Sequence, residues 1–315
     1  MTTAAAGGPA PGVVLCVGEP LIALTPAAAT GLQHTDTLSV AVGGAEVNVA
    51  VGLAQLGVPS RFAGRVGDDP FGRKVSAVLT AAGVDARFLE VDPGRPTGLY
   101  LKDPAGPVRY YRKDSAASVL AHLPEPARDG VGHVHLTGIT AALSPQCRDL
   151  VARLLSAPGA TASFDVNYRP ALWHPAVAGP VLLALAARAD IVLAGLDEAA
   201  LLWDVHEPED IRALLPDVGE LIVKDGPRRA SAFRGADRVD VPPLPAPVVE
   251  PIGAGDAFAA GYLAARRGGA TLAAALRTGH LLAAIVIGGH TDHGRAPTAR
   301  ELDLARTGTG WPAAD

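Results

Sequence analysis

The chain has 315 residues, of which 36 are Gly and 27 Pro, with 49% hydrophobic and 19% charged. That is enough for one large domain with an attachment, and for a core that needs neither disulfide nor metal. The 27 Lys and Arg against 32 Asp and Glu leave a formal charge of −5, which excludes retention on nucleic acid or an anionic membrane by bulk charge.

Residues 1–12 are Ala-, Gly- and Pro-rich and read as a disordered tail. They carry no basic residue ahead of a hydrophobic run, so no signal peptide is expected. The apolar stretch Leu281–Ile287 is far short of the ~20 residues of a membrane span. Cys16 and Cys147 are the two cysteines and suit a reducing compartment, so a cytoplasmic location is expected. Lys74, Lys102, Lys113 and Lys224 are the four lysines, a scarcity that reads as base-composition bias.

Val13–Gly18 reads as a buried first strand. Residues 19–42 look irregular, with alternation over Thr37–Val42. Gly43-Gly44 opens a helix over Glu46–Leu56, stopped by Gly57 and Pro59. A strand follows at Arg61–Val66, then a helix over Phe71–Ala82 capped by Gly67-Asp68-Asp69-Pro70. Residues 97–103 and 107–112 form a predicted hairpin around Pro104-Ala105-Gly106. Beyond it strands and helices alternate: strands at His133–Leu136, Thr161–Val166, Ile191–Leu193 and Leu221–Lys224, helices at Pro145–Leu155, Val177–Arg188 and Asp197–Trp203. A second hairpin (230–234 and 238–241) and two long helices, Gly255–Arg267 and Leu272–Ile287, close the chain. This rhythm predicts a mostly parallel sheet covered on both faces. The extended regions 19–42 and 97–112 fall outside it and could pair as a small separate β-layer, a lid over one end of the sheet.

The strongest chemical signal is Gly253-Ala254-Gly255-Asp256 at the head of a helix. Two glycines one apart let the backbone approach a ligand and turn N–H groups inward. The positive end of the helix adds to that field, which suits a phosphate. Asp256 could equally be a plain N-cap. No G-x-x-x-x-G-K-[ST] is present, so this is no P-loop protein. His133 and His135 alternate on one strand without a metal-ligating partner and read as packing residues. His290, Asp292 and His293 read as a polar turn, and Glu207–Asp210 as a solvated helix start.

Three segments in order, Gly43–Ala50, Gly64–Gly72 and Gly253–Phe258 with its helix, resemble the signatures of the ribokinase-like (PfkB) sugar kinases over roughly residues 13–300. The resemblance implies a three-layer α/β/α sandwich with a mostly parallel central sheet and a small β-sheet lid. It places a kinase domain at 13–305, the lid at 19–42 and 97–112, and a C-terminal tail at 306–315. It makes Asp256 the base that deprotonates a sugar hydroxyl, with Gly253, Ala254 and Gly255 as the anion hole. It sets Gly43, Gly44 and Asn48 beneath the sugar. Phosphoryl transfer needs positioning and charge stabilisation, which agrees with these residue types.

Tyr110-Tyr111-Arg112 on the lid and Asp165-Val166-Asn167-Tyr168-Arg169 beyond a strand end resemble the Y-x-R and D-x-N-x-R segments of 2-keto-3-deoxygluconate kinases. Two arginines converging on one cleft suit a carboxylate. Tyr110, Arg112 and Arg169 are therefore the expected sugar-acid contacts, or else the arginines are surface ion pairs. The expected reaction is ATP-dependent phosphorylation of a terminal hydroxyl, giving the 6-phosphate of 2-keto-3-deoxygluconate. A fructose, ribose or nucleoside acceptor stays open, as does a non-catalytic sugar or nucleotide sensor.

For the nucleotide the resemblance implies Asn167, Lys224, Asp225, Gly226, Gly253, Gly255 and His280, although Arg229 stands where a further Gly is usual. For Mg²⁺ it implies an indirect role for Glu198 through water, with Gly195 in place of the usual Asn and Glu250-Pro251-Ile252 in place of D-T-x. A monovalent cation activator is left open. Partners are expected to be the sugar acid and ATP, with no nucleic acid or membrane, and a homodimer or larger homo-oligomer through the lid edge.

Overall fold

The computed structural model describes residues 12–26, 31–103, 106–289 and 291–313. Most of the expected tail, Pro104-Ala105 of the first hairpin and His290 lie outside the described residues. In chain order the first strands are β1 Val13–Val17, β2 Leu21–Pro26 and β3 Leu38–Gly43. Helix α1 Ala45–Gln55, β4 Ser60–Gly67, α2 Pro70–Ala81 and β5 Asp85–Asp92 follow. Next come β6 Leu99–Leu101, β7 Arg109–Tyr111, β8 Val131–Thr137, α3 Gly138–Leu143 and α4 Pro145–Leu155. The middle of the chain adds β9 Thr161–Asp165, α5 Pro175–Ala186, β10 Ile191–Gly195, α6 Leu196–Trp203 and α7 Pro208–Leu214. Strands β11 Glu220–Asp225, β12 Arg229–Arg234 and β13 Asp237–Val241 precede α8 Ala254–Arg267, α9 Leu272–Ile287 and α10 Ala299–Thr307.

Among the described residues nine strands form the central sheet in the order β13-β12-β11-β10-β9-β8-β1-β4-β5. Pairing is parallel from β11 to β5 and antiparallel only in the β11-β12-β13 edge. Alternation on β1 shows the layering. Val14 and Cys16 join the core shared with α1, α8 and α9, whereas Leu15 and Val17 join the core shared with α4, α5 and α6. The expected three-layer α/β/α architecture is therefore present. A four-stranded second sheet, β3-β2-β6-β7, stands apart, with β2 parallel to β6 and the other pairs antiparallel. It is built from the two extended regions that broke the βα rhythm.

Local chemistry sets the helix starts. The Asp69 side chain accepts the Gly72 N–H at 2.7 Å ahead of Pro70, and Ser144 accepts from Cys147 ahead of Pro145, both N-caps followed by a proline that needs no N–H. Helix α10 runs past the expected domain end at 305 because Thr298 and Glu301 form a capping box and Gly308 takes a left-handed φ of 75°. Trp311 Nε1 then donates to the Pro242 carbonyl at 2.9 Å, so the final segment packs on the domain. Both cysteines are buried and free. Among the described residues no helix is long and apolar enough to cross a membrane.

Candidate active site

The site gathers at the carboxyl ends of the parallel strands, where open α/β sheets bind ligands. Its centre is Asp256, 8% exposed, in the first turn of α8. Asn48 Nδ2, from α1, donates to Asp256 Oδ2 at 2.8 Å, and Asn167 Nδ2, two residues beyond β9, donates to Oδ1 at 3.1 Å. Asn167 is held at a φ of 39°, an unusual conformation for a non-glycine residue and one that recurs at functional sites. Burial pushes the Asp256 carboxyl up, against the Asn48 hydrogen bond and the Arg169 charge, which favour ionisation.

Gly253 precedes α8 at a φ of 86°. Helix geometry leaves the first-turn N–H groups without a carbonyl four residues back. That of Ala254 turns to the Pro251 carbonyl at 3.3 Å, so of the expected anion-hole residues Gly253, Ala254 and Gly255 it is Ala254 whose donor is engaged within the turn. Lys224 Nζ lies 3.6 Å from where a Gly255 Cβ would stand, and donates to Asp165 at 2.8 and 3.0 Å. Burial disfavours the Lys224 charge, but Asp165 and Glu198 outweigh it and raise its pKa. Glu198 Oε2 accepts the Gly195 N–H at 3.1 Å, and burial lifts its carboxyl to about 7 against the pull of Lys224. Asp256, Asp165 and Glu198 with Lys224 and Arg169 thus form one electrostatic cluster. Three carboxylates outnumber two cations there.

Beside this cluster opens a cavity of about 1370 Å³, lined by Asp225, Gly226, Arg229, Leu244, Ala254 and His280 among others. It is large enough for a nucleotide and meets the first turn of α8 at Ala254. His280 Nε2 bonds the Val241 carbonyl at 2.9 Å, its ring stands edge-on to Phe258, and burial takes its pKa down to about 4. The imidazole is therefore a neutral wall of the cavity near pH 7. Asp225 is paired with Arg228. Among the described residues no group of three His, Cys, Asp or Glu side chains could hold a metal alone. Glu198, whose Oε1 has no hydrogen bond to it among the described residues, fits a Mg²⁺ carried in on phosphates, whereas both Asp165 oxygens are taken by Lys224.

On the other side of Asp256, Gly44 sits at a φ of 118°, and a Cβ there would lie 2.4 Å from the Glu19 carbonyl. A Cβ at Gly43 would meet Tyr100 Oη at 2.6 Å and Asp292 Oδ2 at 2.8 Å. Gly44 is thus required by close approach to backbone and by conformation, while a side chain at Gly43 would displace Tyr100 and Asp292. Arg112 is buried and paired: its Nε donates to Glu19 Oε2 at 2.7 Å and its Nη2 pairs with the same carboxylate. Ser115 donates to the other Glu19 oxygen. The Arg112 guanidinium lies over the Tyr110 ring at 5.4 Å. Arg169 is exposed, and its charge acts on both Asp256 and Glu198. Sequence reasoning missed Glu19, Asp165 and the buried role of Asp292, which accepts from Tyr100 and from Lys102.

Glu46, inside the first signature, is fully buried. Its Oε1 accepts from Thr137 at 2.7 Å and Thr140 at 2.6 Å, while Oε2 has no hydrogen-bond partner among the described residues. Burial pushes its carboxyl from 4.5 to about 7, against those hydrogen bonds. A raised carboxyl keeps in the folded state a proton that the unfolded chain releases. Stability is therefore full below 4.5 and falls until the pH passes about 7, by on the order of 3 kcal/mol. Glu46→Gln keeps the acceptor for both threonines. Its melting temperature relative to wild type is expected to rise as pH climbs through that window; a pH-independent difference would contradict this account.

The profile of the pfkB family carbohydrate kinases matches residues 13–299. The 2-dehydro-3-deoxygluconokinase of Thermoproteus tenax is 31% identical over 319 residues, 92% of this chain and 93% of that protein. The enzyme of that name from Bacillus subtilis is 34% identical over 292 residues, covering 86% and 88%. Among solved structures, a putative ribokinase II from E. coli in complex with ATP and Mg²⁺ superimposes with a TM-score of 0.83 at 25% identity, covering 93% of this chain and 98% of that one.

Proposed function

The chain belongs to the pfkB family of carbohydrate kinases, and from that premise we propose that it transfers the γ-phosphoryl group of ATP to the terminal hydroxyl of a sugar acid, 2-keto-3-deoxygluconate. The observation that carries the reaction is the buried Asp256 carboxylate, held by Asn48 and Asn167 at the open first turn of α8. The acceptor hydroxyl lies against Asp256, which takes its proton as the oxygen attacks the γ-phosphorus and ADP leaves. The N–H groups of Gly255 and Asp256 and the Lys224 ammonium face the charge on the phosphoryl oxygens. ATP lies in the cavity along Gly226 and His280, its phosphates toward α8. Glu198 would hold a Mg²⁺ through water, and that ion would supply charge neutralisation to the phosphates.

The sugar-acid reading draws on the relatives' names and on Arg169 beside Asp256. One observation favours a neutral acceptor: the Arg112 charge is already matched by buried Glu19, which leaves Arg169 as the member of the expected pair without an ion-pair partner among the described residues. A panel of 2-keto-3-deoxygluconate, 2-keto-3-deoxygalactonate, fructose and ribose, with coupled ADP detection, separates the two. The sugar acids are expected to give the highest kcat/KM. Fructose or ribose in front would move the assignment to a neutral acceptor, and ligand-induced stabilisation without ADP release would mark a sensor. The small sheet over the sugar side, the domain limits and a homo-oligomer through its edge belong to the same proposal, as does a cytoplasmic location.

A further inference from the structure

Lys102 is one of four lysines in the chain and is 5% exposed. It directly follows β6, and its own N–H donates to the Leu24 carbonyl of β2 at 2.9 Å, so its backbone is fastened to the small sheet. Its ammonium leaves that sheet. Nζ donates to Asp292 Oδ1 at 2.7 Å and stands 3.2 Å from Glu250 Oε2. Tyr100, also on β6, donates to the other Asp292 oxygen.

The two carboxylates belong to the two segments that border Gly253. Glu250 Oε1 accepts the Ile252 N–H at 3.1 Å, one residue before the turn. The Asp292 backbone packs on the turn itself, its carbonyl oxygen 2.9 Å and its Cα 3.3 Å from where a Gly253 Cβ would lie. We propose that Lys102 is a positioning residue for phosphoryl transfer: by tying Glu250 to Asp292 it fixes the Gly253 turn, and hence the first-turn amides of α8, to the small sheet. The inference rests on the kinase reading above.

Charge balance alone is a poor reason to keep this arrangement, because a buried ammonium between two carboxylates is costly to desolvate and is often replaceable by apolar groups. A tie between two elements needs its donors in place. Misplacing groups at a reacting centre by about 1 Å can cost on the order of a hundredfold in rate.

The test uses the full chain and whichever acceptor the wild type phosphorylates. Lys102→Ala is expected to lose about tenfold or more in kcat with little change in KM for the acceptor. Ethylammonium or ammonium chloride is expected to restore part of the loss, and tetramethylammonium, which has no N–H, to restore none. Amide hydrogen exchange of a peptide covering 249–257 is expected to quicken in Lys102→Ala and to slow again with ethylammonium. That readout needs no turnover, so it stands even if every acceptor in the panel fails. Lys102→Met with Asp292→Asn removes one carboxylate with the ammonium and keeps a folded comparison should the single variant not fold. Under the proposal this pair still turns over slowly and ammonium does not rescue it. Wild-type kcat in the double variant, or a Lys102→Ala enzyme with unchanged kcat and exchange, overturns the proposal.

Discussion

Asp256→Asn is expected to lower kcat by about a thousandfold or more, within the range by which a positioned general base accelerates proton transfer. The substitution keeps the side-chain shape but removes the acceptor for the hydroxyl proton. The fold has a way to accommodate it. Asn48 Oδ1 and Asn167 Oδ1 are both buried without a hydrogen-bond partner among the described residues, so one amide can flip and present its oxygen to the new N–H₂ group. KM for the acceptor is accordingly expected to change little, and the melting temperature to stay near wild type. The wild-type pH profile carries the same assignment. The base must be ionised, and burial raises the Asp256 pKa from 3.8, so kcat/KM falls as pH drops through a midpoint above the ordinary aspartate value. Steady-state kinetics of the variant and the acid limb of the wild-type profile check both statements. Near-normal transfer by Asp256→Asn would remove Asp256 from the role of base.

The buried sheet was legible because its strands are short β-branched runs bounded by glycine, and its helices carry their own stops. Strand β5 was not read: Asp85-Ala86-Arg87-Phe88-Leu89-Glu90 has no apolar run, because an edge strand covered on one side carries charges, here Arg87 paired with Asp85 and Glu90 with Arg65. Strand β2, Leu21–Pro26, was hidden by its terminal proline and by pairing with β6 far along the chain. The capping box of α10, Thr298 to Glu301, was present in the sequence as T-x-x-E and would have moved the expected start of the C-terminal tail beyond 305.

The site divides in the same way. Gly44, Gly253 and Asp256 stand in local signatures whose backbone demands can be read residue by residue. The side-chain pairings cannot, because they join positions that only the topology brings together. Asn48 reaches Asp256 across 208 positions, Lys102 reaches Asp292 across 190 and Arg112 reaches Glu19 across 93. Glu19 had a faint signal, a carboxylate directly after a buried strand ending in Gly18, where the sheet's ligand-binding edge lies. Asn167, expected at the nucleotide, also holds the Asp256 carboxylate, a pairing that its number in the sequence does not reveal.

Gly253→Ala is expected to lower kcat by about a hundredfold, comparable to the loss of one preorganised anion-stabilising donor. Two observations combine. The backbone at 253 has a φ of 86°, and an L-residue in a left-handed conformation is disfavoured by about 1–2 kcal/mol. The added Cβ would also lie 2.9 Å from the Asp292 carbonyl oxygen, a backbone atom that cannot swing away as a flexible side chain would. The turn must therefore shift or rotate, and the N–H groups of Gly255 and Asp256 move with it. Asn48 and Asn167, on other elements, keep their places, so binding of the acceptor is expected to survive while transfer slows. Gly255→Ala is the contrast. Its Cβ would meet only Lys224 Nζ at 3.6 Å, an ordinary contact, and its backbone is already helical, so a much smaller loss is expected. Measured kcat and acceptor KM for the two variants decide the matter. Equal losses at 253 and 255 would show that side-chain volume near the phosphates, and not the geometry of the turn, controls the rate.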